Sequence, residues 1–388
     1  MTAPTGEVIV RMTSPNHRTS ARVVHGSISA ASVHCSPTQQ DEAEQRFKSI
    51  RDTDIIQLCD YRSIMEERNE GDKVLSLLQT RKKQGYQREK HDDGNHLALV
   101  IEGGGMRGVA AGGMVTGLEE MGLNNCFDTI HGSSSGAATA AYFLCGQADI
   151  GTSIFYEDLC DERFLSFKRL YQGKPIMDTG YLVDHVMDRI KKIDFEQLKK
   201  KKDVLHILTT DIDKGEPVTW SVFRQYDEYR QALKASMTLP FIAGGPIELR
   251  GHRLMDGGLL QHIALSSAFN VGATHVLVLQ TCSRENQLRP LPNWRGYVVA
   301  RLLEAMYGGK MRELILMRNE HINSAVRLIQ KGRGPRGQHI SQIALEPAIQ
   351  SIRRLTQNSQ DLLNAAKVMR SATVKYCNTT PVQVFQQH

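Results

Sequence analysis

LALVIEGGGMRGVAAGGMVTGLEEMG, residues 97–122, decides the class of fold. It opens on an unbroken apolar run, LALVI, of the length and kind that a parallel sheet buries on both faces. EGGGMRG, residues 102–108, follows at once as a turn whose glycines leave the backbone bare. VAAGGMVTGLEEMG then carries its apolar residues at helical spacing. The same strand–turn–helix texture recurs downstream. FDTIHG reads as a short strand and SGAATAAYFLCG as a helix of small residues, while VLHILTTD, GHRLMD and THVLVLQT read as further strands with helices between them. This alternation predicts an α/β layered fold with a largely parallel central sheet.

The second informative stretch is HGSSSGAATAAYFLCG, residues 131–146. Gly132-Ser133-Ser134-Ser135-Gly136 fits G-x-S-x-G with Ser134 at its centre; centring on either neighbour puts a serine where a flanking glycine belongs. A nucleophile on a sharp strand-to-helix turn occupies a strained backbone conformation, and the glycines on either side let the two chain segments pass. The turn also places the hydroxyl at a helix N-terminus, where a developing anion is favoured. A serine–glycine cluster in a loop or helix cap has the same composition, so the pattern by itself leaves both readings open.

A serine needs a base. His131 precedes the turn on the incoming strand, so its side chain is expected to point away from the apex, as a packed or surface histidine. Downstream, His262 and His275 lack a catalytic-looking loop, and the latter falls within the strand THVLVLQT. GHRLMDGGLL offers a carboxylate instead: Asp256 ends a short strand and is followed by Gly257 and Gly258, which keep its approach open. The competing reading of Asp-Gly-Gly is a plain turn. The glycine loop has two uses as well. It satisfies G-x-G-x-x-G, the phosphate turn of a dinucleotide site, but the nearest acids, Glu119 and Glu120, fall inside a helix rather than at the end of a second strand. Its other use is an oxyanion hole of backbone N–H groups. Arg107 either steadies the loop, meets an anionic head group, or is a surface charge.

In this order, EGGGMRG, GSSSG and MDGG resemble the patatin-like phospholipase family, lipid acyl hydrolases with an α/β fold and a Ser–Asp dyad. ASMTLPFIAGGPIELRGHRLMDGG is similar to that family's approach to its aspartate, and DERFLSFKRLYQGKPIMDTGYLVDHVM with ILTTDIDKGEPV is similar to the middle of its bacterial-type members. The resemblance covers about residues 96–285. It implies a three-layer α/β/α fold, Ser134 as nucleophile and Asp256 as proton acceptor. It also implies an oxyanion hole from the amides of Gly103, Gly104 and Gly105, assisted by Met106 and Arg107 and closed by Gly108. Two departures stand out: Glu102 occupies a position where many relatives have aspartate, and LLQHIAL replaces an Asn-Pro-containing turn after MDGG.

The rest of the 388 residues is organised around this segment. Residues 1–40 hold three arginines, many Ser and Thr and a single acid, Glu7, a composition shared by an unstructured tail and an organelle transit peptide; no secretory apolar run is visible. Residues 1–95 are expected to be partly disordered, with short charged helices at DEAEQRFKSI and DKVLSLLQTRKKQ; residues 96–285 form the catalytic domain, and residues 286–388 a helical C-terminal extension packed on it. A net charge of +6 suits peripheral contact with an anionic membrane surface and falls short of a nucleic-acid signature. The basic runs RKKQGYQREKH and LKKKKD are candidates for such contact, or simply solvated faces. FLSFKRLY and the C-terminal helices either line an acyl groove or are core. Seven cysteines without a C-x-x-C pair point away from metal sites and disulfides, toward a reducing compartment, cytoplasmic or at a membrane surface. No cofactor and no metal are expected. Acyl-ester lipid is the expected substrate, with an NAD(P)-binding oxidoreductase and a non-catalytic lipid-binding regulator as the alternatives.

Overall fold

The computed structural model describes residues 8–14, 17–24, 27–30, 72–282, 294–349 and 351–379. The chain divides into two compact units, Met1–Asn69 and Glu70–His388. In the first, β1 (Val8–Ser14), β2 (His17–Val24) and β3 (Ser27–Ala30) form an antiparallel sheet in that order. These strands lie within residues 1–95, where the sequence predicts partial disorder and short charged helices: Val, Ile and Thr recur through VIVRMTS and HRTSARVV, and β-branched residues favour extended backbone. The helix expected at DEAEQRFKSI lies outside the described residues.

The second unit begins with α1 (Lys73–Lys83), capped by the Asp72 side chain, which accepts from Leu75 N at 2.9 Å. Then come β4 (Leu97–Ile101), α2 (Gly108–Glu120), β5 (Thr129–Ser133), α3 (Ser135–Leu144) and α4 (Ala148–Glu157). A π-helical segment, Tyr181–Ile190, leads to α5 (Phe195–Lys200), β6 (Leu205–Asp211), β7 (Glu216–Trp220) and α6 (Tyr226–Met237). The unit continues with β8 (Ile247–Leu249), β9 (His252–Asp256), α7 (Leu265–Asn270) and β10 (His275–Leu279). It ends with α8 (Trp294–Tyr307), α9 (Met311–Lys331), β11 (His339–Ile343) and α10 (Ser359–Asn378).

The sheet runs β11-β10-β4-β5-β6-β9-β8, with β7 also on β6. β11, β10, β4, β5 and β6 are parallel, whereas β7, β8 and β9 are antiparallel to their neighbours. All five residues of β4 are buried, as an interior parallel strand requires. One register sets up the site. β6 carries β7 along one edge, opposite Ile207–Asp211, and on its other edge β5 and β9 meet end to end: Leu208 faces Ser133, and the next residue, Thr209, faces Asp256. Two strand ends far apart in the chain thus arrive one residue apart on a common scaffold.

The expected strands are all present, and three more appear. β7 and β8 are short edge strands, and β11 shows that residues 286–388 are not wholly helical, since they also extend the sheet. α10 packs along α2 so closely that a Cβ on Gly113 would sit 2.2 Å from Ala366 O. A glycine-rich central helix is the condition for that crossing.

Candidate active site

β5 delivers Ser134 and the sheet forces its strain. Ser134 has φ 56° and ψ −132°, left-handed backbone in a residue that is not glycine, at the N-terminus of α3. Its amide donates to Ser236 Oγ at 2.9 Å, and Ser236 Oγ in turn donates to Leu208 O, 2.6 Å away. A serine of α6 therefore pins the turn to β6. Nothing in the spacing of SMTLP singles out Ser236 for this role; only the fold does.

Asp256 ends β9, is 1% exposed, and accepts from Gly258 N at 2.6 Å through Oδ1. Burial pushes its carboxyl up to about 6, against the Gly258 amide, the Ser134 hydroxyl and the positive charges of Arg318 and Arg354, which all pull it down. The Ser134 hydroxyl thus acts on this carboxyl as a hydrogen-bonding neighbour, while Oδ2 has no closed hydrogen bond among the described residues. A long contact between such a pair is common before a substrate arrives. Gly257 lies against Ser133: a Cβ there would come within 2.9 Å of Ser133 Oγ and 2.5 Å of Leu208 O.

The glycine loop passes over the serine turn, a Cβ on Gly103 being 3.0 Å from Ser134 Cβ. Its amides are not equivalent. Gly104 N donates to Ser135 Oγ at 3.0 Å and Met106 N to Arg354 O at 3.0 Å, so both are engaged elsewhere. The amides of Gly103 and Gly105 have no acceptor among the described residues. Gly105, at φ +58°, supplies the left-handed step that turns the loop. Arg107 is not a plain surface charge: its Nε and Nη2 are buried and without a partner among the described residues.

Glu102 has a structural role that its place before the glycines does not suggest. It is fully buried, accepts from Thr281 N at 2.7 Å, and faces His262 Nε2 at 3.1 Å. It therefore ties the glycine loop both to the end of β10 and to the loop after Asp256. Burial raises its pKa, but the His262 contact, Arg107 and the Thr281 amide outweigh this and hold it below the usual carboxylate range; burial keeps His262 low. Glu102→Ala is expected to cost about 3 kcal/mol, since it strands His262 and the Thr281 amide, with Glu102→Gln intermediate. Denaturant midpoints at neutral pH check this; a loss within about 0.5 kcal/mol in both variants would show that the tie is unimportant.

His131 is packed. Its ring nitrogens contact Ser267 Oγ and Thr129 Oγ1, both at 2.9 Å, and the ring stacks on His206 at 4.3 Å. Burial drives its pKa well down. The dinucleotide reading of the glycine loop fails on topology, because β5 ends at Ser133 and Ser134 where that reading needs an acid. The basic run from Arg81 is only partly a surface: Arg81 is buried, its Nε 2.8 Å from Asp93 and its Nη1 2.7 Å from Asp128.

Beside Ser134 lies an apolar cleft, lined by Met106, Tyr142, Phe155, Phe164, Met177 and Leu182 among others. An apolar lining beside a polar side chain is the character of a ligand pocket. FLSFKRLY contributes only its buried start to it, through Phe164.

The fold thus combines a mostly parallel α/β sheet with a strained serine at a strand-to-helix turn, a buried carboxylate at the adjoining strand end and a glycine loop against the serine. Residues 99–269 match the family model described as patatin-like phospholipase, so the chain carries a patatin-like domain over that span. Uncharacterized protein YjjU of Escherichia coli is 24% identical over 209 residues, 51% of this chain and 55% of YjjU. Lysophospholipase nte1 of Aspergillus oryzae is 26% identical over 192 residues, 49% of this chain and 12% of nte1. The chain thus spans about half the length of the first relative and a small part of the second. Among solved structures, VipD from Legionella pneumophila is similar with 14% identity and a TM-score of 0.34, covering 73% of this chain and 67% of that one.

Proposed function

We propose that this protein is a lipid acyl hydrolase that cleaves fatty-acyl esters through an acyl-serine, with Ser134 as nucleophile and Asp256 as proton acceptor. The observation that carries this reading is the β6 register, which brings the end of β5, next to the strained Ser134, and the buried Asp256 onto adjacent residues of one strand, with Ser134 lining an apolar cavity. Asp256 Oδ2, free of other partners, takes the Ser134 proton as Oγ attacks the acyl carbonyl. The carbonyl oxygen becomes an oxyanion facing the free amides of Gly103 and Gly105, helped by the N-terminus of α3. The proton passes from Asp256 to the leaving alcohol as the C–O bond breaks. Water, deprotonated by the same carboxylate, then attacks the acyl-serine, and the fatty acid leaves as Ser134 recovers its proton. The acyl chain occupies the cavity throughout.

The names of the relatives support a lysophospholipid or related glycerolipid ester as substrate. Labelling with a fluorophosphonate and mapping the modified residue tests the nucleophile: the adduct is expected on Ser134, and an adduct on another serine overturns the assignment. The base predicts a pH limb. Because burial raises the Asp256 pKa to about 6, the ionised form is lost as pH falls through that value, not through the ordinary carboxylate range near 4. On a monomeric ester, kcat/KM is expected to fall about tenfold per pH unit below pH 6. A limb near pH 4 would mean that another carboxylate, or none, takes the proton.

A further inference from the structure

An excursion from the fold begins and ends beside lining residues of the cavity. Residues 166–176, SFKRLYQGKPI, leave between Leu165 and Met177, which bridge in antiparallel fashion, and Ser166 N donates to Ile176 O at 3.0 Å. The base is therefore clamped, and it is the part nearest the acyl pocket: Phe164 and Met177, on either side, both line it. Phe167–Gln172 winds as a short 3₁₀ turn that buries none of its residues. Phe167 is 57% exposed, Leu170 52% and Tyr171 94%, although a folded chain ordinarily hides such side chains. A second segment joins it. Met177 N donates to Ile242 O at 2.8 Å, and the adjacent Phe241 is 41% exposed, with positive φ. Leu239, two residues earlier, is again a lining residue of the pocket.

The charge on the excursion has one sign. Residues 166–176 hold Lys168, Arg169 and Lys174 and no acid. Arg169 is turned inward, to Pro175 O at 2.8 Å and Asp178 at 2.7 Å, and so braces the loop. Lys168 meets the exposed Glu162 at 2.7 Å, and Lys174 is exposed with no ion pair among the described residues. Aromatic and aliphatic tips beside lysines on long apolar stems match the interfacial zone of a bilayer, where rings sit at head-group depth and ammonium groups reach the phosphates. A basic surface adds attraction to an anionic leaflet. No helix among the described residues is long and apolar enough to cross a membrane, so contact through such a surface is of the kind that rests on the bilayer.

We propose that Phe167, Leu170, Tyr171 and Phe241 form a docking face that inserts into the surface of an anionic lipid bilayer and sets the pocket mouth against it. The face rests on the hydrolase reading above, because its bearing on catalysis is to let an acyl chain pass from bilayer to cavity without crossing water. A second copy of this chain is the other occupant such a patch would suit, but it would cover the mouth that the substrate must use.

The test separates binding from chemistry. Full-length Ser134→Ala protein is floated with vesicles of phosphatidylcholine alone and of phosphatidylcholine mixed with phosphatidylserine. It is expected to float with the mixed vesicles, and Leu170→Glu with Tyr171→Glu in the same chain is expected to lower the bound fraction about tenfold or more. Lys174→Glu should weaken binding to the mixed vesicles and leave the weaker binding to phosphatidylcholine unchanged. With Ser134 intact, the double variant should keep its turnover of a water-soluble short-chain ester and lose turnover of vesicle lipid. Tyr171→Trp supplies a probe that barely perturbs an exposed site: its emission should shift to the blue on mixed vesicles and be quenched by brominated acyl chains. Equal flotation of the double variant, or an unmoved indole, overturns the proposal. So does a dimer in sedimentation that the double variant dissolves, which would assign the face to a second copy. Loss of short-chain turnover together with flotation would place these residues in the fold and overturn it too. If flotation behaves as expected but no ester is turned over by the unmodified protein, the docking face stands and the hydrolase reading falls.

Discussion

Asp256→Asn is expected to lower turnover of a monomeric ester by about 10²–10⁴-fold and to leave the protein as stable as before, or more so. The two signs follow from one fact, the burial of the carboxyl. Asparagine keeps the shape, and its Oδ1 still accepts from Gly258 N, which lies 2.6 Å from the native oxygen. What changes is the oxygen that has no partner among the described residues: in place of an acceptor it presents an amide N–H that cannot take the Ser134 proton. A buried carboxyl whose pKa rises to about 6 is one whose ionised form the fold disfavours, so removing the charge relieves the native state near neutral pH. Ser134→Ala should remove fluorophosphonate labelling and lower turnover by about 10⁴-fold or more. His131→Ala serves as the contrast: turnover per folded molecule should stay near normal while stability drops, because that ring is packed between Ser267, Thr129 and His206. Kinetics and denaturant midpoints on the three variants read out the pattern. Parallel loss of stability and activity in Asp256→Asn would make the carboxylate a structural group and sink the dyad.

Much of the fold was legible because the interior strands are written in uninterrupted apolar residues. LALVI is apolar and buried along its length, and HVLVL of β10 is buried at four of its five positions. The strands that escaped notice are those whose pairing leaves one side open. EPVTW has a proline and buries only Trp220 fully, and HISQI alternates polar and apolar residues behind a Gly- and Arg-rich break. The antiparallel course of β9 was not legible either, since a short run such as GHRLMD carries no mark of the direction in which it pairs. At the candidate site, residues that stand in a motif were legible one by one, but the links between motifs were not. Ser236 and the Glu102–His262 contact join segments more than a hundred residues apart, and neither carries a local pattern. The glycine loop shows the same limit in finer grain. Five residues looked alike as amide donors, and the choice among them rests on Ser135 Oγ and Arg354 O, which lie on other elements and engage the amides of Gly104 and Met106.

Gly132→Ala is expected to be among the most damaging single-methyl changes in the chain, at about 3 kcal/mol or more, and to abolish labelling of Ser134 with it. The reason is that the added carbon meets only backbone. It would lie 2.5 Å from Gly136 O, 2.6 Å from Gly136 C and 2.7 Å from Ala137 Cα, so no side chain can turn aside to admit it. Gly136 has the matching constraint on its other side, with Ile101 O 2.4 Å from its own missing Cβ. The end of β4, the end of β5 and the first turn of α3 are thus in three-way backbone contact, and the glycines of G-x-S-x-G are what allow it. Relief would require α3 to lift off β5, and that movement carries away the φ 56° turn that holds Ser134 toward Asp256. Two controls isolate the steric cause. Gly245→Ala, with nothing within 4 Å and no positive φ, should change stability by no more than about 0.5 kcal/mol. Gly173→Ala, in open space but at φ +65°, should cost about 1 kcal/mol from backbone conformation alone. Urea midpoints on the three variants rank the effects. Should Gly132→Ala fall no lower than Gly173→Ala, the strand and helix can separate without harm, and the glycine spacing around Ser134 would need another explanation than contact.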